Sequence, residues 1–96
     1  MTKLDDIKEA LKEIKPSLVY KYHISSIGLF GSVVREDFSN ESDVDIIVDF
    51  TEPIGIDFIE LADFLEDKLK LSVDLVSKKG IKPKYFSEIE SDIVYV

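Results

Sequence analysis

The sequence contains no cysteine, which excludes disulfides and thiolate metal sites and fits a reducing compartment. Its single histidine, His23, precedes the first predicted strand, where a structural or solvated role is expected. No apolar stretch approaches the ~20 residues a membrane-spanning helix requires. Met1-Thr2-Lys3-Leu4-Asp5-Asp6 sets acids where a secretory leader needs basic residues and then an apolar run. A cytoplasmic protein without a membrane partner is therefore expected. Repeats, linkers and low-complexity tracts are also missing. Basic residues are scarce: 12 against 20 acids leave a net charge of -8. That balance opposes non-specific binding to nucleic acid, so no direct nucleic-acid partner is expected. It suits a metal-nucleotide substrate or a basic protein partner, although surplus acid also serves solubility alone.

What is present points to one packed globule. A chain of 96 residues with 45% hydrophobic and 10% aromatic content is expected to form one domain, 1–96, large enough to fold without staples. Thr2 and Asp5 resemble a capping box, and Leu4, Ile7, Leu11, Ile14 and Leu18 recur at helical spacing. The pattern predicts an amphipathic helix interrupted near Pro16. Ile24 to Phe30 reads as a strand entering a turn at Gly31, and residues 32–36 as a short helix. Phe38 to Ser42 is a polar loop, and residues 43–50, DVDIIVDF, form the clearest strand. Phe58, Leu61, Ala62, Leu65 and Leu69 mark a helix of about four turns. Ser72 to Ser77 is a short strand, and Pro83 opens a last helix carrying Tyr85, Phe86 and Ile89. The apolar Ile93-Val94-Tyr95-Val96 docks on the body or on a partner. Tyr20, Tyr22, Tyr85 and Phe86 are expected to fill core gaps, and the lysines at 78, 79, 82 and 84 to form a solvated basic turn. The fold class is α/β (α+β), a small mixed β-sheet flanked by helices.

The chemistry resides in three short segments. Alternate residues of a strand share a face, so Asp43 and Asp45 point the same way about 6.6 Å apart, while Val44, Ile46 and Val48 face the core. Two such carboxylates can converge on hard cations, though an isolated D-x-D also fits a half-exposed strand with solvated acids. Asp49 shares that face but lies too far along to share their ions. Asp74 interrupts the apolar run SVDLV, a local inconsistency of the kind that marks functional sites. A strand-end acid facing solvent is its plain alternative. If the two strands are neighbours, three carboxylates gather and repel unless a cation neutralises them. Gly31-Ser32 follows a strand and opens a helix, a context that frees backbone N–H groups to bind phosphate. Arg35, one turn on, can reach a phosphate oxygen or pair with an acid.

Taken together, GSVVREDFSNESDVDIIV matches G-S-x10-D-x-D without a gap and resembles the DNA polymerase beta-like nucleotidyltransferase superfamily. SVDLV stands where that superfamily's third carboxylate belongs. The resemblance implies a polymerase beta palm-like fold, with nucleotide phosphates held by Gly31, Ser32 and Arg35. It further implies two magnesium ions held by Asp43, Asp45 and Asp74, these acids being catalytic. Within the superfamily the chain looks like the minimal nucleotidyltransferases, the MntA-type antitoxins that pair with HEPN toxins. Many of those read G-S-x-A-R-G, where this sequence has Val34 and Glu36. This resemblance implies transfer of AMP from ATP to a hydroxyl of a HEPN-type toxin, a tyrosine for preference. A non-catalytic antitoxin that simply binds its toxin and a transferase for a small molecule are the alternatives.

Overall fold

A computed structural model describes residues 3–35, 38–39 and 41–96. The chain alternates helix and strand: α1 Lys3–Tyr22, β1 Ile24–Phe30, α2 Ser32–Arg35, β2 Val44–Phe50, α3 Asp57–Leu69, β3 Val73–Ser77, α4 Pro83–Ile89 and β4 Val94–Tyr95, with one 3-10 turn at Glu90–Asp92 before β4. The four strands form one mixed sheet in the order β3-β2-β1-β4. β1 runs antiparallel to β2 and β4, and β2 parallel to β3. This is the α+β sandwich expected from the alternation of periodicities.

The core lies on one face of the sheet. Ile7, Leu11 and Leu18 of α1 and Leu61 and Leu65 of α3 close over Ile27, Leu29, Val44, Ile46 and Val48, each at most 3% exposed. Period 3.6 on the helices and period 2 on the strands bring these side chains to a common layer. A shift of register between Ile24 and Ser26 turns Ile24 into the same cluster, as an extra residue in one strand does.

One expectation about the helices fails. Helix α1 is not interrupted near Pro16 but continues from Lys3 to Tyr22 with the proline inside it. Proline removes one N–H and crowds the carbonyl four residues back. Both Pro16 and Lys12 lie on the exposed face, where water can take up the orphaned carbonyl. Leu11 and Leu18, fully buried on either side, hold the helix together across the defect. The helix ends at His23, whose φ of 59° and N–H donated to the Val19 carbonyl at 3.2 Å make a left-handed cap. Lys70 closes α3 in the same manner, with φ 57° and its N–H on the Glu66 carbonyl at 2.8 Å. Thr2, the supposed N-terminal cap, lies outside the described residues.

The apolar tail docks on the body. Val94 and Tyr95 pair with Leu29 and Gly28, the Val96 N–H donates to the Ile27 carbonyl at 2.9 Å, and Lys15 Nζ donates to the Val96 carbonyl at 2.6 Å. Gly28 permits this approach, because a Cβ there would stand 2.7 Å from Ile93 Cγ2. Among the tyrosines expected to fill the core, Tyr22 is buried at 2% exposed, but Tyr20 and Tyr85 stand 88% and 46% exposed. Tyr20 lies on the solvent stripe of α1, and Tyr85 lies on α4, which buries none of its residues. Among the described residues no helix is long and apolar enough to cross a membrane.

Candidate active site

The parallel register of β2 and β3 decides the site. Asp45 is aligned with Asp74, and aligned residues of neighbouring strands project to the same side. Their carboxylates therefore share the sheet face opposite α1 and α3, while Val44, Ile46 and Val48 line the core at 0% exposure. Asp43 is exposed and sits one residue before β2 rather than inside it. Strand pairing still reaches its level, since the Val44 N–H donates to the Ser72 carbonyl at 2.8 Å.

The electrostatics register this crowding. The Asp45 carboxyl is pushed up from 3.8 to about 6, first by burial, then by the charges of Asp74 and Asp43 and by a hydrogen bond with Asp74; the Arg35 guanidinium acts in the opposite direction. One contributor to the burial is a residue that the sequence did not flag. Phe30 is aligned with Asp45 across β1 and β2 and is only 3% exposed, which sets an apolar cross-strand neighbour on the same face as the carboxyl. Its signal in the sequence is its position directly ahead of the Gly-Ser turn.

Gly31 joins this acid face to α2. It adopts φ +76°, and a Cβ at that position would overlap Asp45 Oδ2. Only glycine combines that left-handed backbone with so close an approach to the carboxylate. Its carbonyl accepts the N–H groups of Val34 and Arg35, both at 3.1 Å, which starts the turn of α2 on the next residue. Ser32 is half-buried at the start of that turn, Val33 anchors it at 2% exposed, and Arg35 is exposed at its end. Glu36, which departs from the minimal-transferase pattern, lies outside the described residues.

The donor set can be tested against magnesium. Carboxylate oxygens are the ligands a hard cation takes, and a divalent ion would offset the mutual repulsion that raises Asp45. Among the described residues no three such side chains are already closed into a metal cage. Magnesium does not need one: it retains several waters and is held by one or two carboxylates together with substrate phosphates. The open acid face beside the Gly31 turn fits an ion that arrives with a nucleotide.

Other candidates stand apart from the three acids. His23 caps α1 and pairs with Glu52, Nε2 to Oε1 3.2 Å. Lys78 is not simply solvated, since its ammonium lies over the rings of Phe86 and Tyr95 at 5.5 and 5.9 Å from their centroids. Asp49 accepts the N–H of Phe50 at 3.0 Å and is aligned with Ser26, far along the strand from Asp45.

Comparisons with known proteins bear on the family and the fold. The family model for the polymerase beta nucleotidyltransferase domain matches residues 12–95. The protein adenylyltransferase MntA of Thermococcus cleftensis is 41% identical over 97 residues, covering 100% of this chain and 98% of its own. A solved structure provisionally identified as a minimal nucleotidyltransferase superposes with a TM-score of 0.81 at 27% identity, over 98% of this chain and 95% of that one. A tri-AMPylated Shewanella oneidensis HEPN toxin in complex with its MNT antitoxin is similar at 25% identity and a TM-score of 0.61, over 96% of this chain and 66% of the matched one.

Proposed function

The chain belongs to the polymerase beta nucleotidyltransferase family, and from that membership we propose that it is a protein adenylyltransferase that transfers AMP from ATP to a tyrosine hydroxyl of a HEPN-type toxin. The observation that carries the reading is the alignment of Asp45 with Asp74 beside a glycine whose missing side chain leaves room for the Asp45 carboxylate. Support for the acceptor class comes from the AMPylated HEPN toxin in the Shewanella complex and from the name of the Thermococcus relative.

The reaction needs little covalent help from protein, chiefly positioning and neutralisation of charge. Two magnesium ions, held by Asp43, Asp45 and Asp74, would neutralise the triphosphate and steady the leaving group. Gly31 and Ser32 receive the terminal phosphates at the turn, and Arg35 lies one turn on to pair with a phosphate oxygen. The acceptor oxygen forms a bond to the α-phosphorus while the bond from that phosphorus to the bridging oxygen breaks, and pyrophosphate departs with the electron pair. Asp74, exposed at the edge of the site, is placed to take the hydroxyl proton. A purely binding antitoxin loses one of its motives, since the apolar tail is occupied within the sheet.

The test is incubation with the HEPN partner, magnesium and labelled ATP. Label is expected on the toxin, on tyrosine, with Asp43→Ala folded but inactive. Absence of label on a toxin that demonstrably forms the complex would remove the transferase reading.

A further inference from the structure

β3 is an edge strand, and its free edge borders the acid face. The hydrogen-bonding direction of each residue follows from two contacts with β2: the Ser72 carbonyl accepts the Val44 N–H, and the Lys78 N–H donates to the Val48 carbonyl, both at 2.8 Å. Alternation along a strand then turns Ser72, Asp74, Val76 and Lys78 toward β2 and Val73, Leu75 and Ser77 outward. The outward Val73 N–H is already taken by Glu66 Oε2 at 2.9 Å, and the Ser77 carbonyl accepts the N–H groups of Gly80 and Ile81 at 3.0 and 3.1 Å. Between these closed ends the Val73 carbonyl, both backbone groups of Leu75 and the Ser77 N–H have no protein partner among the described residues. No residue of β3 is fully buried, so this short row faces solvent.

We propose that the acceptor protein docks by adding an extended segment to this edge of β3, which delivers its hydroxyl to Asp74. A row of alternating free donors and acceptors is a template for one more strand. A residue of the added strand level with Asp74 projects to the same face, its Cβ about 5 Å from that of Asp74. From there a tyrosine hydroxyl can lie over the carboxylates. Charge narrows the chemistry of the occupant: Asp74 lies on this strand, Glu66 reaches its Val73 N–H, and Asp45 is aligned with Asp74 one strand in, so a segment bearing lysine or arginine beside the tyrosine complements them. The row is short enough that self-pairing of free protein is discouraged while a complementary segment gains register and orientation.

This inference rests on the reading of the site as a protein-modifying transferase, and the test separates the two. Ser77→Pro removes an outward N–H without touching the β2 ladder, a substitution edge strands tolerate; Ser77→Ala keeps the N–H. With the HEPN toxin as acceptor, Ser77→Pro is expected to retain binding of a fluorescent ATP analogue and to raise the KM for toxin by about tenfold, the equivalent of about 1.4 kcal/mol in lost hydrogen bonding. Ser77→Ala is expected to match the wild type. Hydrogen exchange on the unmodified protein supplies a second readout, with the amides of Leu75 and Ser77 slowing on toxin binding. Transfer by Ser77→Pro at the wild-type KM, or unchanged exchange at Leu75 and Ser77 in a formed complex, overturns strand addition alone. A wild-type protein that binds toxin and labels nothing overturns the transferase reading and this inference with it.

Discussion

Asparagine in place of Asp45 preserves shape and removes charge, so it isolates the electrostatic cost built into the site. The carboxyl titrates near 6 instead of 3.8, so the folded state prefers it protonated. Below about pH 4 both folded and unfolded chains carry it protonated and the cost vanishes. The cost grows as pH rises through that interval and is complete above about 6. At 1.36 kcal/mol for each pH unit the whole shift corresponds to about 3 kcal/mol, and solvent at this half-exposed carboxyl reduces it to roughly 1–2 kcal/mol. In chelator at pH 8, Asp45→Asn should therefore melt roughly 5–10 °C above the wild type, and the gap should close by pH 4. Magnesium with ATP should then raise the melting temperature of the wild type by mass action and leave the variant almost unmoved. Thermal melts across the pH range, with and without chelator, measure both effects. A variant that melts at or below the wild type at pH 8, or a gap independent of pH, refutes the account of a buried carboxyl crowded by two further acids.

Gly31→Ala should lose activity and about 1–3 kcal/mol of stability, because the added carbon strikes Asp45 Oδ2 and the backbone is left-handed at φ +76°; a variant as stable and active as the wild type in urea melts and AMP transfer excludes that role. Lys70→Gly should gain roughly 0.5 kcal/mol, since glycine accepts φ 57° without the penalty of a side chain, and the ion pair lost with Asp67 is exposed and of little value. A lower denaturation midpoint would contradict it.

Much of this arrangement is legible in the residues alone because two periodicities rarely mislead when they are strong. The DVDIIVDF run announces a buried ladder with acids on its other side, and Phe58 to Leu69 reads as one helix with its buried stripe. Asp74 could be assigned from its intrusion into an apolar run, but its alignment with Asp45 depends on parallel pairing across more than twenty intervening residues, which no local pattern encodes. Pro16 misled for the opposite reason: its local effect is real, and burial of Leu11 and Leu18 overrides it. Phe30 and Gly28 were invisible as contributors because what they do depends on the strand beside them. His23 and Lys70 occupy left-handed caps that glycine usually marks, so those helix ends carried no signal.

The sheet has a dry side and a chemical side, and this divides the outcomes of random mutagenesis. Lesions among Leu11, Leu18, Leu61 and Leu65 should lower cellular abundance while every surviving molecule keeps its full turnover. Lesions among Asp43, Asp45 and Asp74 should give plentiful molecules with no turnover. Phe30 and Gly31 lie on the seam, so variants there should score in both classes at once, and a screen that records amount and output separately would draw the boundary of the site.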